Sequence, residues 1–251
     1  MKRSGRRKFG FTLIELLVVV SIIVIVVSIM LPSLTGARGH ARAVICQSNL
    51  HHLGIATNMY LDKFKGNFWR YYQNEPGGRQ WWFGYEAGGP ASGTNRSLDL
   101  SRSALAEFMT SDADRFQCPD FAYDHQEFFP KFEKRSASYG FNLNLGPASM
   151  LFPTKRRRDY PGREAEVFVF SDAIHFDFNP GFNEGHYVQF TPNVSALSGY
   201  SHFRHLGSAQ YVFMDGHVGS QQLDGFSHKF IAGGDAGNLV APDGTPDIYG
   251  F

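Results

Sequence analysis

The chain lacks the usual signatures of catalysis. It has no G-x-S-x-G nucleophile elbow, no Walker A loop, no dinucleotide-binding glycine fingerprint and no H-E-x-x-H helix. No Ser/His/Asp or Cys/His set stands out by spacing, so no enzymatic activity is expected. Cysteine is scarce: Cys46 and Cys118 are the two present, and neither belongs to a C-x-x-C pair. That excludes a zinc ribbon and a thioredoxin-type redox motif. Net charge is also lacking, with 24 Lys and Arg against 23 Asp and Glu. A nucleic-acid-binding protein is more often basic overall, so no nucleic-acid partner is expected. Disorder is excluded by 15% aromatic residues, and 27 glycines with 12 prolines point to a loop-rich domain built around a sheet.

The charges that are present are unevenly placed. Residues 1–10 hold five basic residues, Lys2, Arg3, Arg6, Arg7 and Lys8, and no acid. Removing these five from the 24 leaves 19 against 23 acids, a formal charge of −4 for the remainder. The later basic run Arg156-Arg157-Arg158 reads as a solvated loop.

Phe11 to Leu31 is a 21-residue apolar run whose one charge is Glu15. At about 1.5 Å per residue it reaches about 30 Å, the thickness of a bilayer core. The basic flank predicts a cytoplasmic N-terminus, with the rest of the chain on the outer side. A cleaved secretory signal fits poorly, because such signals have a shorter apolar stretch, and Ala37-Arg38-Gly39 is a poor cleavage site. A plain signal anchor has no use for Glu15, since a carboxylate near the middle of a span costs about 2.5–3.5 kcal/mol to insert. A cut between Gly10 and Phe11 would free an amino group four residues before Glu15. That group on a neighbouring subunit could pair with the carboxylate.

Lys8-Phe9-Gly10-Phe11-Thr12-Leu13-Ile14-Glu15 resembles the prepilin peptidase recognition motif of type IV pilins and type II secretion pseudopilins. The resemblance implies cleavage after Gly10, N-methylation of Phe11, and a role for Glu15 in assembly. Pro32 matches a helix-kinking proline common in that family. The implied organisation is a cleaved leader at 1–10, a membrane and filament-core helix at 11–34, and a helix continuation with a globular domain at 35–251. The implied fold is α+β, with a long N-terminal helix on a small antiparallel sheet and a long loop-rich insertion. The implied partners are the prepilin peptidase, other pilin or pseudopilin subunits and the membrane platform of an assembly machine. The implied location is the cytoplasmic (inner) membrane, single-pass, with the domain extracytoplasmic or periplasmic.

Pro32, Gly36 and Gly39 are expected to bend, break or locally melt the helix. From Ala41 the pattern resumes: Cys46, Leu50, Leu53, Thr57, Tyr60 and Phe64 follow a 4-3-4-3-4 spacing and form one face. Lys65-Gly66-Asn67 ends the helix. Residues 65–138 show no clean periodicity, although Ser101 to Met109 could form a short helix. Strands are expected at Val167–Phe170, His186–Phe190, Ala209–Met214 and His217–Gln221. Asp215-Gly216 reads as a two-residue hairpin turn, and the sheet as an antiparallel meander. In an extracytoplasmic domain Cys46 and Cys118 could pair; the alternative is two free buried thiols.

His205, nine residues, then Asp215-Gly216 resembles an H-x9-D-G element found in many bacterial pilin-like proteins, and names a class without a chemistry. His202, His205, Asp215 and His217, joined by Asp172 or His175, could bind a transition metal. The structural alternative has Asp215 accepting turn amides and His205 bonding a neighbouring loop. In the tail Gly234-Asp235, Asn238, Asp243-Gly244 and Asp247 are loosely similar to the calcium loop of major pseudopilins. Asp235, Asp243 and Asp247 are the candidate calcium ligands, against ordinary turn formation. Two functions remain: a filament subunit, or a membrane-anchored binding or metal-dependent domain that uses the pilin-type signal for sorting alone.

Overall fold

The computed structural model describes residues 12–88, 96–109, 116–146, 153–176, 181–188, 199–222, 227–231 and 234–237, the last two segments by backbone alone. Two compact units emerge, Met1–Ala41 and Arg42–Phe251, and helix α1 (Leu13–Lys63) contributes to both. Gly10 and Phe11 lie outside the described residues.

In the first unit the apolar side chains of α1 are exposed all round, from Ile14 to Leu31. A helix apolar on every side belongs in lipid or in the centre of a bundle. One 18-residue window of α1 has a mean hydropathy of 3.1, so the helix is long and apolar enough to cross a membrane. Ser21 and Ser28 return their hydroxyl protons to the carbonyls of Val18 and Ile25, each at 2.8 Å. This satisfies two polar groups without water. The expected break at Pro32 does not occur: α1 is continuous through Pro32, Gly36 and Gly39.

In the second unit α1 supplies one face to the core. Cys46, Leu50, Leu53, Ala56 and Thr57 are buried, and Thr57 satisfies its hydroxyl on the Leu53 carbonyl at 2.8 Å. The stripe fades at its end, where Phe64 is 42% exposed and stacks on Tyr60 at 4.2 Å. Lys65 and Gly66 both take positive φ, and the Gly66 N–H closes on the Leu61 carbonyl at 2.6 Å, a left-handed cap.

Residues 65–138 contain more order than their composition suggests. Strands β1 (Tyr72–Glu75), β2 (Gly78–Trp81) and β3 (Gly84–Ala87) form an antiparallel sheet. In place of a helix at Ser101–Met109 there are two single 3-10 turns, Leu100–Arg102 and Ala106–Phe108. Leu105 is fully buried beneath the second.

The larger sheet is organised by β5 (Phe168–Phe176), longer than the apolar run Val167–Phe170 implies. β4 (Tyr139–Asn142) pairs along one edge of its first half and β6 (Phe182–Glu184) along its second. β9 (Ser208–Phe213) pairs with the first half from the edge opposite β4, and β8 (Gly199–Phe203) with the second half from the edge opposite β6. β7 (Tyr187–Val188) joins β4 in a parallel pair, so the sheet is not a simple meander. β10 (Val218–Gln222) pairs with β9, while β11 (Ser227–Ile231) and β12 (Gly234–Gly237) extend the sheet from β8. Trp69, Trp82, Phe141 and Phe170 pack together in the core, with Trp82 and Phe170 at 4.8 Å.

Two tight turns flank β9. Before it, Leu206 and Gly207 both have positive φ, 53° and 82°, and His205 and Ser208 exchange backbone bonds of 2.9 and 3.0 Å. This is a two-residue type I′ hairpin. After it, the Gly216 N–H reaches the Phe213 carbonyl and the Phe213 N–H reaches the His217 carbonyl, both at 2.9 Å. That corrects the expected two-residue turn to a three-residue loop, with Gly216 at φ 94° in the bulge position.

Candidate functional site

The helix start and a buried node in the second unit carry the residues of interest. At the helix start, Thr12 is the first described residue. Its backbone N–H and its hydroxyl both donate to Glu15 Oε2, at 2.8 and 2.7 Å, and the Glu15 N–H returns to Thr12 Oγ1 at 3.3 Å. Thr12-Leu13-Ile14-Glu15 is therefore a capping box, a T-x-x-E pattern readable from sequence. The carboxylate lies near the positive end of the helix dipole. A cut between residues 10 and 11 leaves this box intact, because the Thr12 amide stays in the chain.

The buried node lies where β9 hands over to β8 along β5. Asp172 is the β5 residue at that junction, fully buried. Its Oδ2 accepts the Gln210 N–H at 2.8 Å, and its Oδ1 accepts Arg204 Nη2 at 2.7 Å. Arg204 also donates to the carbonyls of Ser138 (2.8 Å) and Ala173 (3.1 Å), tying β4 and β5 to the hairpin. Next to Arg204, His205 sets Nε2 3.2 Å from Asp172 Oδ2 and Nδ1 2.9 Å from Asp120 Oδ2. Asp120 in turn pairs with Arg42 at the start of the second unit's part of α1.

Burial raises the Asp172 carboxyl, but Arg204 and His205 outweigh it and hold the group below the ordinary carboxylate range. Asp120 behaves alike, with His205 and Arg42 opposing the effect of burial. Burial depresses the His205 imidazole, and the two carboxylates more than restore it, so its pKa is raised. An imidazolium there gives one N–H to each carboxylate.

Cys46 and Cys118 form a disulfide with 5.4 Å between Cα atoms, joining α1 to the loop ahead of Asp120. Closing 72 residues of chain contributes about 4 kcal/mol on the chain-entropy model. Cys118 Sγ lies 3.2 Å from His205 Nε2.

The H-x9-D-G element is thus divided between the two ends of β9, roughly 20 Å of strand apart. His205 anchors one end. At the other, Asp215 Oδ1 accepts the His217 N–H at 3.1 Å and meets His217 Nδ1 at 2.6 Å, a half-exposed turn. Gly216 meets α1: its Cα and carbonyl oxygen would each lie 3.6 Å from a Cβ at Gly54. The transition-metal set suggested by the sequence is therefore not one site. His202 Nδ1 lies 3.2 Å from Arg204 Nη1, and the His175 ring packs on Tyr187. Of the calcium set, Asp235 lies within β12 between Phe230 and Phe203, while Asp243 and Asp247 lie outside the described residues.

A second buried group joins Ser136, Glu184 and His186, each at most 2% exposed. Ser136 Oγ meets His186 Nε2 at 2.7 Å, and the Ser136 N–H donates to Glu184 Oε1 at 3.3 Å. The His186 ring stacks on Phe83 at 4.3 Å. Burial first, then the surrounding positive groups, holds His186 well below its ordinary value, and burial raises Glu184. The hydroxyl is closed to substrate, so the group reads as a core network. Sequence reasoning has no handle on Asp120, Arg204 or this trio, apart from the adjacency of Arg204 to His205 and of Asp120 to Cys118.

Residues 5–31 match the family model described as the prokaryotic N-terminal methylation motif. The chain therefore carries a prepilin-type signal over that segment. No curated protein matches the chain. No solved structure matches it either.

Proposed function

We propose that this protein is a pilin or pseudopilin subunit, made as a precursor and built into a type IV pilus-like or type II secretion filament. The observation that supports this best is the methylation-motif match at 5–31 with Glu15 as the one charge in the apolar run. The prepilin peptidase cuts between Gly10 and Phe11 and methylates the new amino terminus. The basic leader keeps the N-terminus cytoplasmic, and the second unit lies across the cytoplasmic membrane. Extrusion moves the apolar helix from lipid into a helix bundle that is equally apolar. Glu15 Oε1 then meets the amino group of a neighbouring Phe11, which sets the axial register.

A second reading rests on the capping box. Glu15 already serves its own helix through Thr12, which gives the carboxylate a use in a simple membrane-anchored domain. The intact mass of the protein extracted from native membranes tests the shared step. The expected chain begins at Phe11 and is heavier by one methyl group. A chain that still begins at Met1 in cells with an active peptidase sinks the pilin reading.

A further inference from the structure

The disulfide, His205 and Asp172 meet at one point. Sγ of Cys46, Sγ of Cys118, one ring nitrogen of His205 and one carboxylate oxygen of Asp172 all lie within 4.8 Å of one another, and all four residues are buried. Two of the contacts, Cys118 Sγ to His205 Nε2 and His205 Nε2 to Asp172 Oδ2, are 3.2 Å.

From this geometry we infer that the reduced protein binds one zinc ion through Cys46, Cys118, His205 and Asp172, so that the same core position is closed by a disulfide when oxidised and by a metal when reduced. Zinc takes thiolate sulfur at about 2.3 Å and imidazole or carboxylate ligands at about 2.0–2.2 Å in a tetrahedron. Such a tetrahedron has edges of about 3.3–3.8 Å, so the two sulfurs must separate and any spacing that approaches 4.8 Å must close by about 1 Å. Two borderline-soft sulfurs with one nitrogen and one oxygen suit zinc better than calcium or magnesium.

The surroundings are already those of a metal ligand. Asp120 Oδ2 holds His205 Nδ1 at 2.9 Å, which fixes the ring and points Nε2 at the sulfurs. A carboxylate behind a ligating histidine is the usual outer support of such a site. Asp172 need not leave Arg204, because Oδ1 holds the guanidinium and Oδ2 faces His205. The chemistry balances with a reductant of the dithiol or phosphine class. Two electrons break the sulfur–sulfur bond; a dithiol gives up its two protons to the thiols and closes to a cyclic disulfide, or a phosphine takes oxygen from one water to become its oxide while that water supplies the two protons. Zinc then displaces the two thiol protons and any proton on Nε2.

The site is buried, so metal enters during folding. The test uses the full chain in detergent, reduced with a phosphine, unfolded, and refolded without oxygen in the presence of one equivalent of zinc chloride. Native mass spectrometry and thiol counting read the product. The expected result is one zinc per folded chain, two thiols protected from alkylation, and a sulfur-to-metal absorption band when cobalt replaces zinc. His205→Gln and Asp172→Asn should each lose the ion at least about tenfold more readily, and Asp120→Asn should weaken it by about 10–100-fold. A reduced chain that refolds without retaining zinc overturns the inference. So does a chain that zinc cannot refold, or one whose zinc is held equally well in His205→Gln and Asp172→Asn, which would mark thiol-only capture.

Discussion

Asp172 and Arg204 form a 2.7 Å ion pair in which neither side chain is more than 1% exposed. The pair sits on β5 between the stretch that pairs with β9 and the stretch that pairs with β8. The Arg204 fork also answers two carbonyls there, so the charge compensates itself and satisfies the sheet at once.

Removing one partner of a buried pair costs about 3–5 kcal/mol, because the charge that remains has lost its main counter-charge. Arg204→Met and Asp172→Asn should therefore each lower stability by about that much. The double variant should lose clearly less than the sum of the two. A double-mutant cycle by chemical denaturation measures the coupling. Additive losses would show that the two side chains act separately.

The Ser136–Glu184–His186 group makes stability depend on pH through two opposed contributions. The folded protein resists protonating His186, so below about 6.5 the unfolded chain binds the extra proton and stability falls as the pH drops. Glu184 has the opposite sign: its folded pKa is raised, so its contribution is complete below about 4.5 and is lost as the pH rises through its higher folded value. Glu184→Gln keeps an acceptor for the Ser136 N–H. It should gain on the native protein as the pH climbs above about 4.5, by about 1.4 kcal/mol per pH unit until the folded carboxyl ionises. His186→Gln should flatten the acid limb. Thermal midpoints between about pH 4 and 8 read both, and parallel profiles for all three proteins would contradict the assignment.

Glycine inside a helix costs about 1 kcal/mol relative to alanine, and α1 carries it for different reasons at two places. A Cβ on Gly54 would lie 2.6 Å from Val212 Cγ2, with the Gly216 backbone behind it, whereas a Cβ on Gly36 meets nothing within 4 Å. Gly54→Ala should therefore destabilise the second unit despite the gain in helix propensity, and Gly36→Ala should leave its unfolding unchanged. Denaturant midpoints compare the two variants directly.

The parts legible in the sequence are those governed by local pattern. Phe11–Leu31 is readable because one property persists for 21 residues, and the buried face from Cys46 to Thr57 because its spacing follows the helix. β5 reads too short because Ser171-Asp172 looks like a strand end. Arg204 and Gln210, 32 and 38 residues away, make a carboxylate tolerable in mid-strand. His205 stands out in the sequence, but its partners do not. Asp120 lies 85 positions earlier and is brought in by the Cys118 loop, a contact no local rule predicts. β1 to β3 escape notice because strands of four residues such as Gly78–Trp81 carry too few positions to show a period.

Substitution separates the capping role of Glu15 from the assembly role proposed for it. If the carboxylate serves only the helix start, Thr12→Val and Glu15→Ala remove parts of the same capping box and should behave alike, each costing about 0.5–2 kcal/mol at the helix end. If Glu15 also meets the amino group of a neighbouring subunit, its loss removes an ionic contact made inside an apolar bundle, where no water replaces it. We expect Thr12→Val to be processed and to assemble, and Glu15→Ala to be processed at Gly10 but to yield no filaments. Intact mass reports processing, and electron microscopy of sheared cell-surface or overexpressed material reports assembly. Equal assembly by both variants would leave Glu15 as a helix cap and favour the anchored-domain reading.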